Sequence, residues 1–264
     1  MRSGLLLTVA YDGTSFSGWA RQRHARTVAG ELQGAVWALD PKASGLRGVS
    51  RTDAGVHARG QLAAFDTDRP IPLRGWVLGI ARHLGPEISV VRAASVSAGF
   101  EPRAHVVGKT YRYLLLESPV RDPLLERRAW RLHDRLNHRL MAEEVQALLG
   151  VHDFAAFRSS ADERSHTVRD ILCAQVRRVG SDPRCIEVVV EADRFLYHMV
   201  RIIVGTLVDV GRGRLLAGAV ARALRSGHRG DLGLTAPPDG LYLESVELDQ
   251  PVGDVWPPAE WSCA

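Results

Sequence analysis

Apolar residues recur along the chain with two different periods, and the alternation between them predicts the order of elements. Leu5 to Tyr11 is a nearly unbroken β-rich apolar run closed by Asp12-Gly13, a turn signal, and reads as a strand. Val28, Leu32, Ala35, Val36 and Leu39 then fall at helical spacing. Gly48 to Arg59 is glycine-rich and polar and reads mainly as a loop, followed by a strand over Gln61 to Phe65. Leu73, Trp76, Val77, Ile80, Ala81 and Leu84 make a second helical stripe, and Ile88 to Val96 a further strand.

The second part of the chain runs through a similar order. Tyr111 to Leu116 predicts a strand and Leu140 to Leu149 a helix stopped by Gly150. Thr167 to Val179 and Cys185 to Ala192 predict two strands about the turn Gly180-Ser181-Asp182-Pro183. Leu196, Met199, Val200, Ile203, Val204 and Leu207 form a helical stripe, Leu216 to Leu224 a further helix and Leu241 to Leu248 a last strand. Each half thus reads as β-α-β-(β)-α-β. The implied fold class is α/β, more specifically α+β: two similar lobes, each a mainly antiparallel sheet backed by helices, with a cleft between them. The expected division is residues 1–104, 105–249 and a loosely held tail over 250–264 that contains Pro251, Pro257 and Pro258.

Composition changes this picture little. The chain has 264 residues, 45% hydrophobic and 24% charged, enough for a sizeable core. The net charge of +4 is modest, but lysine occurs only at Lys42 and Lys109, so the positive charge is almost all arginine. Guanidinium forks suit phosphates and base edges; a GC-rich genome produces the same bias. Cys173, Cys185 and Cys263 form no CxxC pair and have no histidine at metal-ligand spacing, which points to a reducing cytoplasm and to no metal. The start, MRSGLLLTVAYDG, reads as a strand rather than a signal peptide, and Met199 to Val210 is too short and too charged to span a membrane.

The stretch that carries chemistry is Ser50-Arg51-Thr52-Asp53-Ala54-Gly55-Val56-His57-Ala58. It predicts a tight loop in which Thr52 caps locally, Gly55 supplies unusual backbone angles, and Asp53 sits near a cation that keeps it ionised and nucleophilic. Read alone, the same pattern also describes a solvated turn with a surface ion pair. Tyr111 on its predicted strand, read alone, favours core. Arg201, at the edge of an apolar helical stripe, needs a partner, with Asp53, Asp193 and Asp209 as candidates. Trp19 with Arg21, Arg23 and Arg26 fits RNA contact or a solvated loop.

RTDAGVHA at 51–58 resembles the TruA family of tRNA pseudouridine synthases. So do YDGTSFSGW at 11–19, GQLAAF at 60–65, KTYRY at 109–113 and HDFAAFR at 152–158. FLYHMVRIIVGTL at 195–207, VGRG at 210–213 and APPDGLYL at 236–243 complete the set, in family order. The chain departs from the family's usual pattern at Ser50, at Ala20 and in TVAGELQ over 27–33. The resemblance implies Asp53 as catalytic nucleophile, Arg201 as the partner of its carboxylate, Arg51 in flipping and holding the target nucleotide, Tyr111 stacking on the uracil and Leu243 lining the pocket. It implies no cofactor, a homodimer, and a tRNA substrate modified at uridines 38–40 of the anticodon stem-loop. A flipped-out nucleotide is the general requirement for chemistry at a stacked base. Two competing readings are a non-catalytic tRNA-binding or chaperone protein on this fold, and a hydrolase using Asp53 with His57.

Overall fold

A computed structural model describes residues 2–162 and 165–258. Cys263 and the end of the expected tail, residues 259–264, lie outside the described residues. The chain divides into two compact units, Met1–Val107 with Leu243–Ala264, and Gly108–Tyr242.

In the first unit, β1 (Ser3–Tyr11) lies antiparallel between β3 (His57–Thr67) and β4 (Ile88–Val96), and the short β2 (Arg47–Gly48) pairs with β3. Two helices, α1 (Val28–Leu39) and α2 (Leu73–Ala81), pack against each other, and α2 also packs on β4. Thr27 caps α1, its side chain accepting from the Gly30 N–H. The unbroken apolar run of β1 follows from burial on both faces. Leu5, Leu7 and Val9 share the face on which Phe65 meets Trp76 of α2 edge-on, with ring centroids 5.1 Å apart. Leu6 faces the other way, into a cluster with Val49, Leu62, Ala64, Ala94 and Phe100.

β10 (Leu241–Leu248) is predicted correctly as a strand, but from Leu243 onward it belongs to the first unit rather than to the second lobe. Val246 and Leu248 pack on the Leu6 cluster, and the Asp249 N–H donates to the His105 carbonyl at 2.9 Å. Sequence order does not say which sheet a final strand joins; the apolar face left open in the first unit decides it. The tail is also held more firmly than expected. β11 (Val255–Trp256) pairs with β4 through Val255 opposite Ala94 and Trp256 opposite Ala93, and Ser95 exchanges backbone bonds with Gly253 and Asp254. It covers a sheet edge that would otherwise expose unpaired backbone groups.

In the second unit the sheet order is β5 (Val106–Glu117), β9 (Asp182–Ala192), β8 (Val168–Val179) and β7 (Gly150–Asp153), all antiparallel, with β6 (Trp130–Leu132) parallel to β5. Tyr113, Leu115, Ile186, Val188 and Val190 of this sheet are fully buried. α3 (His138–Glu144) packs on β8 and on α4 (Met199–Gly211), and α5 (Ala219–Ser226) follows. The predicted helix over 140–149 is α-helical only to Glu144 and tightens to a 3-10 turn over Val145–Leu148 before Gly150, whose φ is +89°. α4 starts later than its stripe suggests, because His198 takes a left-handed conformation at φ 62° and breaks the chain direction between Leu196 and Met199. Among the described residues no helix is long and apolar enough to cross a membrane.

The first unit contains a buried ion pair that makes a pH prediction. Arg47 donates to both oxygens of Asp66, at 2.9 and 3.0 Å, and the Gly99 N–H donates to the same carboxylate at 3.0 Å. Burial pushes the Asp66 carboxyl up, but these bonds and the Arg47 charge outweigh it and hold the group below the ordinary aspartate value of 3.8. Asp40 is lowered too, chiefly by the Thr67 hydroxyl. A depressed carboxyl contributes stability above its unfolded pKa and loses it as pH falls through the folded value. Tm, followed by circular dichroism, is therefore expected to fall as pH drops below about 4, and Asp66→Asn to flatten that fall. An unchanged slope in Asp66→Asn would contradict the assignment.

Candidate active site

The Asp53 loop runs between β2 and β3, and side chains from distant strings hold its backbone. Strand β3 begins at His57, so the loop is shorter than the sequence predicts and Asp53 lies near its middle. At its start, Gln61 clamps Ser50 with its amide: Oε1 accepts from the Ser50 N–H at 3.1 Å and Nε2 donates to the Ser50 carbonyl at 2.7 Å. The Trp19 N–H donates to the Thr52 carbonyl at 3.1 Å, and the Val56 N–H to the Asp53 carbonyl at 3.2 Å. The peptide planes on both sides of Asp53 are therefore anchored. Gly55 takes the positive φ expected of it, +80°, and its N–H reaches the Phe16 carbonyl.

The loop from Asp12 to Trp19 forms the bed for this segment. A β-carbon on Gly13 would lie 2.0 Å from the Val56 carbonyl oxygen, so glycine is required there by close approach. The Gly13 N–H donates to His57 Nδ1 at 3.1 Å, and Asp12 Oδ1 lies 3.2 Å from the same nitrogen. His57 is 2% exposed and supports the loop, which argues against a general-base role facing solvent or substrate. Trp19 is buried at 4% exposure and stacks on Tyr11 with centroids 6.0 Å apart. It is core, so it offers no platform for a nucleic-acid base. Arg26 is engaged with Glu31 and Glu87 and lies 4.4 Å over the Phe16 ring, while Arg21 sits 5.6 Å over Trp37.

Thr52 does not cap locally as expected. Its Oγ1 lies 2.7 Å from the Tyr11 hydroxyl, a buried bond between residues far apart in sequence. Tyr11 and Gln61 lie in the matched strings YDGTSFSGW and GQLAAF, which was the available signal; what these residues hold is visible only in the fold. Within the loop, Arg51 is exposed and Asp53 half-buried.

The second unit carries two of the other expected site residues, Tyr111 and Arg201. Tyr111, on β5 opposite Val190, is half-buried and meets Phe195 edge-on at 5.0 Å. Arg201 sits in the first turn of α4; its Nε donates to the Ala236 carbonyl at 2.7 Å, and its own carbonyl accepts from the Ala236 N–H at 3.0 Å. Asp193 accepts from the Asp170 N–H and pairs with Arg194, while Asp209 accepts from the Leu234 N–H. The string APPDG also ties α4 to β5. The Tyr113 hydroxyl donates to the Pro237 carbonyl at 2.7 Å, and the Leu114 N–H to the Gly240 carbonyl at 2.9 Å. Burial pushes the Tyr113 hydroxyl well above the usual tyrosine range; the Arg201 charge opposes the rise and Asp239 adds to it. Arg112 lies 4.5 Å over the Tyr242 ring, whose hydroxyl donates to the Arg128 carbonyl at 2.8 Å. Leu243, in the first unit, is fully buried. Among the described residues no group of three or more His, Cys, Asp or Glu is placed to hold a metal ion.

Comparison with known proteins places these two mainly antiparallel α+β units, one with an aspartate on a backbone-anchored loop and one with an arginine held in the first turn of a helix, in the pseudouridine synthase class. The family model described as tRNA pseudouridine synthase matches residues 145–249. A tRNA pseudouridine synthase A from Myxococcus xanthus is 40% identical over 242 residues, covering 92% of this chain and 91% of that protein. One from Geobacter sulfurreducens is also 40% identical over 242 residues, covering 92% and 98%. One from Acetivibrio thermocellus is 38% identical over 240 residues, covering 91% and 97%. The chain belongs to the tRNA pseudouridine synthase A family.

Proposed function

We propose that this protein isomerises uridine to pseudouridine in tRNA, at positions 38–40 of the anticodon stem-loop, with Asp53 as nucleophile. The observation that carries the reading is the anchoring of both peptide planes beside Asp53. A carboxylate that must meet one ring or sugar carbon in one orientation benefits from a backbone fixed before substrate arrives. The C1′–N1 bond breaks, the uracil turns, and a C1′–C5 bond forms; the C5 hydrogen leaves as a proton and N1 gains one. Asp53 acts by one of two routes, attack at C6 of the ring or assistance to C1′–N1 cleavage through the sugar. The reaction is redox-neutral and transfers no phosphate, so it requires no cofactor.

In this reading Arg201, held by Ala236 through Nε and backbone, pairs with the Asp53 carboxylate and keeps it charged. Tyr111 stacks on the flipped uracil; a ring face tolerates the turning of the base better than a set of directed hydrogen bonds would. Its edge-on contact with Phe195 fixes the ring plane. Arg51, exposed within the loop, displaces the target base and holds the flipped nucleotide, and Leu243 supports the apolar floor of the pocket. The protein acts in the cytoplasm as a homodimer, a single tRNA lying across both subunits. Binding rests on arginine contacts to phosphate and weakens as salt rises.

The test is tRNA labelled with tritium at uridine C5. Forming the C1′–C5 bond expels that hydrogen, so the protein is expected to release tritium into water in proportion to pseudouridine formed. Binding of tRNA without release, over a range of tRNAs, would favour the non-catalytic reading instead. Release of free uracil would favour the hydrolase.

A further inference from the structure

Tyr11 is a buried ionisable group with no part in the proposed chemistry, yet its one polar atom reaches the residue next to the nucleophile. Its hydroxyl lies 2.7 Å from Thr52 Oγ1, across a separation of 41 positions. Tyr11 and Thr52 are 5% and 7% exposed. A buried hydroxyl pair at this distance is directional, and breaking it carries a desolvation cost.

We propose that Tyr11 is a positioning residue for Asp53, acting through Thr52. Threonine is branched at Cβ and has few χ1 states, so fixing Oγ1 fixes the orientation of Cβ and hence of the Thr52 backbone. The carbonyl of Thr52 is held separately by the Trp19 N–H. Side chain and carbonyl together set the peptide plane that carries the Asp53 nitrogen and Cα. The aromatic stack of Tyr11 on Trp19 holds the phenol itself in place. The Tyr11 ring thus ties both anchors of that plane into one unit: it bonds the Thr52 side chain directly and packs against the residue that bonds the Thr52 carbonyl. The inference rests on the reading of Asp53 as nucleophile.

The test compares Tyr11→Phe, Thr52→Val, the double variant and Thr52→Ser, using tritium release to obtain kcat and KM, and Tm to find a temperature at which every variant is folded. Tyr11→Phe and Thr52→Val are each expected to lower kcat about ten- to a hundredfold with KM within about twofold of the wild type, since misplacement of a reacting group acts on the chemical step. The double variant should lose about as much as the more damaging single one, because the Tyr11–Thr52 bond is already lost in each. Thr52→Ser, which keeps Oγ, should recover most of the rate. A Tyr11→Phe protein with wild-type kcat, multiplicative losses in the double variant, or a loss confined to KM or Tm would each overturn the inference while leaving the catalytic reading intact. If the wild type itself releases no tritium, the catalytic reading fails and this inference falls with it.

Discussion

Asp53→Asn is expected to bind tRNA and release no measurable tritium, a loss of at least about three orders of magnitude in kcat, or some 4 kcal/mol of transition-state stabilisation. The substitution is nearly isosteric. Backbone bonds through the Asp53 carbonyl, the Thr52 carbonyl and the Gln61 clamp on Ser50 hold the loop and are kept in the variant. The loop backbone should therefore keep its geometry, and folding stability should stay within about 1 kcal/mol of the wild type. What changes is the charge and nucleophilicity of a single group, since an amide is a far poorer nucleophile than a carboxylate at neutral pH. Filter binding on the same tRNA separates the two effects. Retained binding with lost release supports the assignment, and retained release would sink it. A parallel loss of binding and of Tm would mean that Asp53 holds the loop rather than reacts.

The largest expected effect on stability lies in the second unit. A β-carbon on Gly205, in the buried middle of α4, would lie 1.8 Å from the Leu234 carbonyl oxygen and 3.2 Å from the Ala236 nitrogen. Backbone cannot yield there as a flexible side-chain end would. Gly205→Ala must push the 232–238 segment away from α4, and with it the Ala236 carbonyl that holds Arg201. A destabilisation of about 3 kcal/mol is expected from overpacking, which lowers Tm by roughly 6–12 °C for a domain of this size. Tritium release should fall as well at temperatures where the variant is still folded. Gly34→Ala is the control. Gly34 is an exposed helical position with no atom within 4 Å of an added β-carbon. The same change there should stabilise α1 by about 0.5–1 kcal/mol. Differential scanning fluorimetry of the two variants should move Tm in opposite directions. If Gly205→Ala melts with the wild type, the close packing of α4 on the 232–238 segment is wrong.

Much of the fold was legible because the periodic segments are strong. The strands Ile88–Val96 and Leu241–Leu248 and the helix Val28–Leu39 have the bounds that spacing predicts. The errors lie where a local signal competes with a distant partner. Thr52 looks like a local cap, but its hydroxyl is taken by Tyr11. The prolines of the tail suggest a loose extension, but β11 finds the edge of β4. Trp19 among arginines fits RNA contact or a solvated loop, but Gly48 opens a space that its indole fills; a β-carbon on Gly48 would lie 2.4 Å from the Trp19 Nε1. His198 interrupts a stripe that spacing alone would have run from Leu196, because a single left-handed residue turns the chain without leaving a mark in the hydrophobic pattern.

For the site itself, the sequence by itself determined which residues are proposed to carry the chemistry. An aspartate in RTDAGVHA, an arginine in HMVRIIVG and a tyrosine in KTYRY are identities, and identities are read directly. It also determined most of the elements that bear them, since amphipathic period is a local property of the chain. Only the tertiary structure decided what holds them: the Gln61 amide on Ser50, the Tyr11 hydroxyl on Thr52, the Ala236 carbonyl on Arg201 and the Phe195 ring against Tyr111. Each of those partners is separated from its target by more than ten positions, and the meeting of two such groups depends on sheet register and loop packing summed over the whole unit. Residue type limits which bonds a side chain can make; the fold selects the one it does make.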